Sequence, residues 1–207
     1  MDLNQSLFLN NEHLDVFKEI ASMGTAHAAT ALSDMIGKKV SVSTMSVSWV
    51  DFQNVTDFIG GPENVIAGIL ISLSGSVNGQ VMHLIDLESV KTIVGIMLDD
   101  DNIADPMEFG EMEFSALKEL GNIMISSYIN SLAELMGRII NPSVPYLTID
   151  MANAIMSIPV AEFGRLSDSV LAIESKLSVD NVTFSGCFSF VPNLESFQLI
   201  LNALGVE

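Results

Sequence analysis

Apolar side chains recur at helical spacing from Asp15 to Ile36, at Val16, Phe17, Ile20, Met23, Ala28, Ala31, Leu32, Met35 and Ile36. Steps of three and four residues collect them on one face of a helix. Gly37 then offers a C-cap ahead of Lys38 and Lys39. The pattern returns at Leu117, Leu120, Ile123, Met124, Tyr128, Leu132, Leu135 and Met136, and Gly137-Arg138 closes it. At 1.5 Å rise per residue, each helix would be about 33 Å long.

After each helix the period falls towards two. Val40 to Trp49 alternates as a strand. Val65–Ser74 and Gln80–Ile85 form a hairpin across Gly75–Gly79. In the second half, Ser169–Ser178 and Thr183–Val191 are joined through Asp180-Asn181. Each hairpin runs into a short helix that starts alike, Asp86-Leu-Glu-Ser and Asn193-Leu-Glu-Ser, with Asp86 and Asn193 as N-caps.

The halves also repeat in sequence. Asp15-Val-Phe-Lys-Glu-Ile-Ala-Ser aligns with Ser115-Ala-Leu-Lys-Glu-Leu-Gly-Asn, and Gly37 with Gly137, an offset of 100 by subtraction. Two repeats, about 12–100 and 106–205, make one domain over 1–207. The fold class is α/β, an α+β sandwich of pseudo-two-fold halves sharing one sheet, with two long antiparallel helices bearing the repeated segments.

Composition narrows the function. The chain of 207 residues carries 26 acidic and 8 basic side chains, net charge -18. That excludes the basic surface of a nucleic-acid binder and disfavours an anionic membrane. The charge keeps a chain that is 49% hydrophobic in solution. No apolar run reaches the roughly 18 residues of a membrane span, and the N-terminus lacks signal-peptide features, so a cytoplasmic protein is expected. Cys187 alone excludes a disulfide framework, and its apolar surroundings point to packing. The acidic run Asp99–Pro106 reads as the link between halves; it lacks the ligand spacing and terminal Glu of a calcium loop.

The candidate chemistry lies on the repeated helices. Glu119 and Asn122, three residues apart, share a helix face with Ser115, Lys118 and Ser126, opposite the apolar face. A solvated face would explain Glu and Lys, which are good helix formers. It does not explain a mid-helix Asn, whose side chain competes for backbone hydrogen bonds. Gly121 beside the amide would open the helix surface to close approach. His13, His27 and His83 form no ligand cluster in sequence, and His27 reads as a tightly packed helix residue. There is no nucleophile triad, metal-binding helix or glycine-rich phosphate loop. A carboxamide both donates and accepts, so Asn122 can hold a water for attack on a phosphoryl group, and Glu119 can grip a lysine of a partner.

Here the chain resembles the CheC/CheX/FliY family, phosphatases of the response regulator CheY. The family motif is Asp or Ser, three residues, Glu, two residues, Asn, twenty-two residues, Pro. Ser115, Glu119, Asn122 and Pro145 meet every position. Gly24-Thr-Ala-His-Ala-Ala, Phe58-Ile-Gly-Gly and Pro142-Ser-Val-Pro145 extend the likeness along nearly the whole chain. The resemblance implies that phosphorylated CheY is the partner, that Glu119 pairs with its lysine, and that Asn122 positions the water. Mg2+ would sit on CheY, leaving this chain with no cofactor of its own. It also implies a second partner, the receptor deamidase CheD, at about Asp150–Ile158. The first helix keeps Asp15 and Glu19 but has Ser22 for Asn and Met45 for Pro, which makes that site vestigial. The alternative is a binding module without turnover, either a CheD regulator or a CheY-P sink.

Overall fold

The computed structural model describes residues 9–163 and 169–205. Chain order is α1 (Asn11–Ile36), β1 (Val40–Asp51), a 3-10 segment (Phe52–Ile59), β2 (Val65–Gly75), β3 (Gly79–Asp86) and α2 (Leu87–Leu98). After a short 3-10 turn at Pro106–Glu108 come α3 (Glu111–Met136), β4 (Ile140–Pro142), β5 (Tyr146–Met151), α4 (Ala152–Phe163), β6 (Ser169–Val179), β7 (Val182–Pro192) and α5 (Leu194–Ala203).

All the strands form one antiparallel sheet in the order β1-β6-β7-β3-β2, with β4 and β5 both on the far edge of β2. Exchanging the halves reverses this order onto itself. The first strand of each half pairs with the hairpin of the other: β1 with β6, and β4 and β5 with β2. The correspondence extends to the ends, since β1 begins at Val40 and β4 at Ile140, while β1 stops at Asp51 and β5 at Met151. Met45 and Pro145 occupy the same place in this scheme. Met45 falls at a register shift between Thr44 and Ser46, and Pro145 separates β4 from β5. A bulge keeps one strand continuous where proline, lacking an N–H, breaks the other.

Local chemistry explains the element ends. The Asn10 side chain accepts from the His13 N–H at 2.9 Å, and His13 Nδ1 accepts from the Asn10 N–H at 3.1 Å. This reciprocal cap starts α1 at Asn11, four residues before the apolar pattern begins, and gives His13 a structural role. Gly110 N–H donates to the Glu113 carboxylate at 3.0 Å at the head of α3. Both long helices end on left-handed glycines, Gly37 with φ 69° and Gly137 with φ 59°. Asp86 and Asn193 each accept at 2.8 Å from the backbone N–H of the serine three residues on. Asp180 adopts φ 52° in the tight β6–β7 turn.

The helix face of the sheet packs α1 and α3 over Ile69, Ile71, Val81, Ile173 and Phe188. The opposite face carries a smaller core that the sequence pattern did not reveal. Phe52, Val55 and Ile59 of the 3-10 segment and Ala152, Ile155 and Met156 of α4 cover Ile66, Met82, Leu84 and Cys187 there. Each half is therefore helix, strand, covering segment, hairpin, helix. Cys187 is fully buried, and burial pushes its thiol pKa up to about 12, with the Glu174 carboxylate adding to the rise.

His83 on β3 is buried in the core, stacked on Phe188 with ring centroids 4.1 Å apart. Burial drives its pKa from 6.5 down to about 3. Between those values the unfolded chain takes up a proton that the fold refuses, so stability contributed by neutral His83 is lost as pH falls. Below pH 6.5, wild type should lose stability faster than His83→Gln, by up to about 1.4 kcal/mol per pH unit. Urea titrations at several pH values read this difference, and parallel profiles would contradict it.

Candidate functional site

The candidate site is an exposed stretch of α3. Leu117, Leu120, Met124 and Ile125 bury the opposite side, which fixes the rotation of the helix. Ser115, Lys118 and Glu119 are consequently exposed, and Asn122 and Ser126 are half-buried. The Ser115 hydroxyl donates back to the Glu111 carbonyl at 2.6 Å. Ser126 Oγ donates to Asn122 Oδ1 at 3.4 Å, one turn further along. That contact gives the amide an orienting partner and leaves its NH2 group for a ligand. Ser126 was visible in sequence only as part of the stripe; its contact to Asn122 follows from i,i+4 spacing.

The first helix presents Asp15, Glu19 and Ser22 on an equally exposed face. It differs at more than Ser22. Ala26 stands where α3 has Ser126, so neither the carboxamide nor its hydroxyl partner has a counterpart. Lys18 Nζ is held by Asp15 Oδ1 at 2.8 Å. The helices carrying the two faces touch each other closely: a Cβ on Gly24 would lie 3.0 Å from the Cα of Tyr128.

Two expectations need correction. Gly121 does not open the surface for a partner. It is buried, and a Cβ there would lie 2.4 Å from Ile69 Cδ1 and 2.6 Å from Ile69 Cγ2. Its use is to seat α3 on β2. His27 is not tightly packed. It is exposed, and its Nδ1 lies 3.3 Å from Ser131 Oγ, across the contact between α1 and α3. In both cases the deciding neighbour is about 50 to 100 residues away, out of reach of local pattern.

Ile69 is paired with Leu147 of β5, so Gly121 places the start of β5 beneath the Glu119–Asn122 turn. Pro145 is two residues from Leu147 and half-buried; Val144 beside it is 86% exposed. In the segment Asp150–Ile158, Ala152, Ile155 and Met156 are committed to the core, while Met151, Asn153 and Ser157 face outward. Among the described residues, one cavity between helices and sheet lies beside His83 and Met124 and another beside Phe17 and Phe188. Neither includes Glu119 or Asn122, which lie on the solvent-facing side of α3. Among the described residues, no three His, Cys, Asp or Glu side chains gather around a metal-sized site. Among them, too, no helix is long and apolar enough to cross a membrane.

Comparison with known proteins converges on the same helix. The profile of the CheC-like family matches residues 112–149, which contain Glu119, Asn122 and Pro145. The CheY-P phosphatase CheC of Bacillus subtilis (strain 168) is 24% identical over 203 residues, covering 96% of this chain and 97% of that protein. In these comparisons the chain is similar to the CheC/CheX/FliY family. Its fold is that of Thermotoga maritima FliY, with a TM-score of 0.75 at 22% identity over 96% of this chain and 98% of that one. CheX in the CheX-CheY-BeF3-Mg+2 complex from Borrelia burgdorferi shares the fold more loosely, with a TM-score of 0.52 at 15% identity, 82% of this chain and 96% of that one. The α3 face presents Ser115, Glu119 and Asn122, with Pro145 following between β4 and β5, whereas α1 presents only Asp15 and Glu19 at the equivalent positions.

Proposed function

We propose that the chain is a phosphatase of a CheY-type response regulator and that catalysis is carried by Glu119 and Asn122 on α3. The observation that carries this reading is the exposed Glu119–Asn122 face, with Ser126 holding the amide. An exposed helix face cannot enclose a small substrate, but it can dock against a folded receiver domain. Glu119 would pair with a receiver lysine beside the phosphoryl group. Asn122 would hold a water in line with the phosphorus. The water oxygen forms the new P–O bond as the bond to the aspartyl carboxylate breaks; the carboxylate leaves with the electron pair, and inorganic phosphate departs. The Mg2+ of this reaction belongs to the receiver. The family names support a receiver partner: CheC of B. subtilis is a CheY-P phosphatase, and CheX of B. burgdorferi is seen bound to CheY with BeF3.

Phosphate release with catalytic amounts of this chain tests the reading. A phosphatase gives many equivalents per chain; a sink stops after about one.

The α1 face favours a second role, binding without turnover, because Asp15 and Glu19 persist where Asn and its hydroxyl partner do not. Restoring both with Ser22→Asn and Ala26→Ser should raise phosphate release, approaching twofold if the two sites become equal. An unchanged rate would mean that the α1 face no longer engages the receiver. For CheD, the outward residues Met151, Asn153 and Ser157 are the proposed contacts, since Ala152, Ile155 and Met156 are unavailable.

A further inference from the structure

Resting on the phosphatase reading, we propose that Lys118 is a further binding residue, a cation that contacts the phosphoryl oxygens of the receiver, and that Ser115 is what keeps it free to do so.

The two motif helices carry a lysine at the same position, Lys18 and Lys118, in different states. On α1, Lys18 Nζ donates to Asp15 Oδ1 at 2.8 Å, a pair three residues apart. On α3 that acid is Ser115, whose hydroxyl is turned back to the Glu111 carbonyl at 2.6 Å. The positions three and four residues either side of Lys118 are Phe114, Ser115, Gly121 and Asn122, none of them a carboxylate. Among the described residues Lys118 makes no ion pair. It is also the sole basic residue of α3.

Position makes that freedom useful. Lys118 and Asn122 are four apart, so their side chains leave the helix about 5 to 6 Å from each other on one face. A phosphoryl group set for attack by a water on Asn122 would lie within reach of the lysine stem. A protein of net charge -18 approaching a doubly charged phosphoryl group meets repulsion within the screening length of the solvent. A local ammonium with three donors offsets it where the anion must come closest. The copy that keeps Asn therefore has the unpinned cation, and the copy that lost Asn has its cation tied to Asp15. Exposed ion pairs are weak, so pinning should reduce the contact several-fold without abolishing it.

The test measures binding of the cognate receiver, loaded with beryllofluoride and Mg2+, by fluorescence anisotropy at low and high salt. Lys118→Gln should raise Kd about ten-fold at low salt, with the gap narrowing at high salt, and Lys118→Arg should stay near wild type. Ser115→Asp should raise Kd about two- to five-fold by recreating the pin. Added to Lys118→Gln, Ser115→Asp should cost little more, because it acts through the lysine. An unchanged Kd in Lys118→Gln, an equal loss for receiver without beryllofluoride, or additive effects of the two substitutions would each overturn the proposal. Because the readout is binding, absence of turnover would sink the phosphatase reading while leaving this one standing.

Discussion

Asn122→Ala should reduce phosphate release from the phosphorylated receiver by about 100- to 1,000-fold, to the receiver's own rate of hydrolysis. This is the size of loss seen when a single positioned polar group is removed from a reacting centre. The fold should survive. Asn122 is half-buried, and among the described residues its side-chain hydrogen bond is the 3.4 Å one from Ser126. Alanine is also the better helix former. The melting temperature should therefore hold or rise slightly, and affinity for beryllofluoride-loaded receiver should change little while Glu119 still docks it. Asn122→Asp keeps the shape but places a carboxylate against the phosphoryl group, so its loss should be at least as large. Phosphate release within a few-fold of wild type in Asn122→Ala would end the assignment of the water to this residue.

That expectation was legible from the chain alone because every feature it uses is local. Glu119, Asn122 and Ser126 fall on one side of a helix by spacing, and their exposure follows from the apolar residues opposite. The same holds for Gly37, Gly137, Asp86, Asn193 and the Asp180-Asn181 turn, each fixed by hydrogen bonds or backbone angles within a few residues. Features that depend on a distant segment were hidden. His27 looked buried because alanines and glycine surround it in sequence, yet its neighbour is Ser131. The second core escaped notice because Phe52, Val55 and Ile59 make too short a run to show a period. The equivalent run in α4 carries Pro159, which argues against a helix when read locally. Pro145 and Met45 looked like a simple loss of a motif residue; the sheet register shows two ways of interrupting the same strand.

Gly121 is where packing and site meet, and substitution there should damage stability. The added methyl of Gly121→Ala would fall 2.4 Å from Ile69 Cδ1, 2.6 Å from Cγ2 and 3.0 Å from Cβ. Rotating the far end of Ile69 relieves the first contact but not the last. Strand β2 cannot retreat, because Ile69 is paired to His83 on one side and Leu147 on the other. The helix must therefore lift or tilt. Overpacking of this kind costs about 1 to 3 kcal/mol, and the gain in helix propensity returns at most about 1 kcal/mol. A fall in melting temperature of about 3 to 8 °C is expected. Displacing this turn also moves Glu119 and Asn122, so phosphate release should fall by more than the unfolded fraction explains. Ile69→Ala in the same chain reopens the space: stability and activity should both exceed what the two single losses sum to. Ala21 occupies the equivalent position on α1 and is fully buried, so a methyl fits beneath that helix and not beneath α3. If Gly121→Ala proves as stable and active as wild type, α3 is not held on the sheet at this point, and the placement of the Glu119–Asn122 face owes nothing to the glycine.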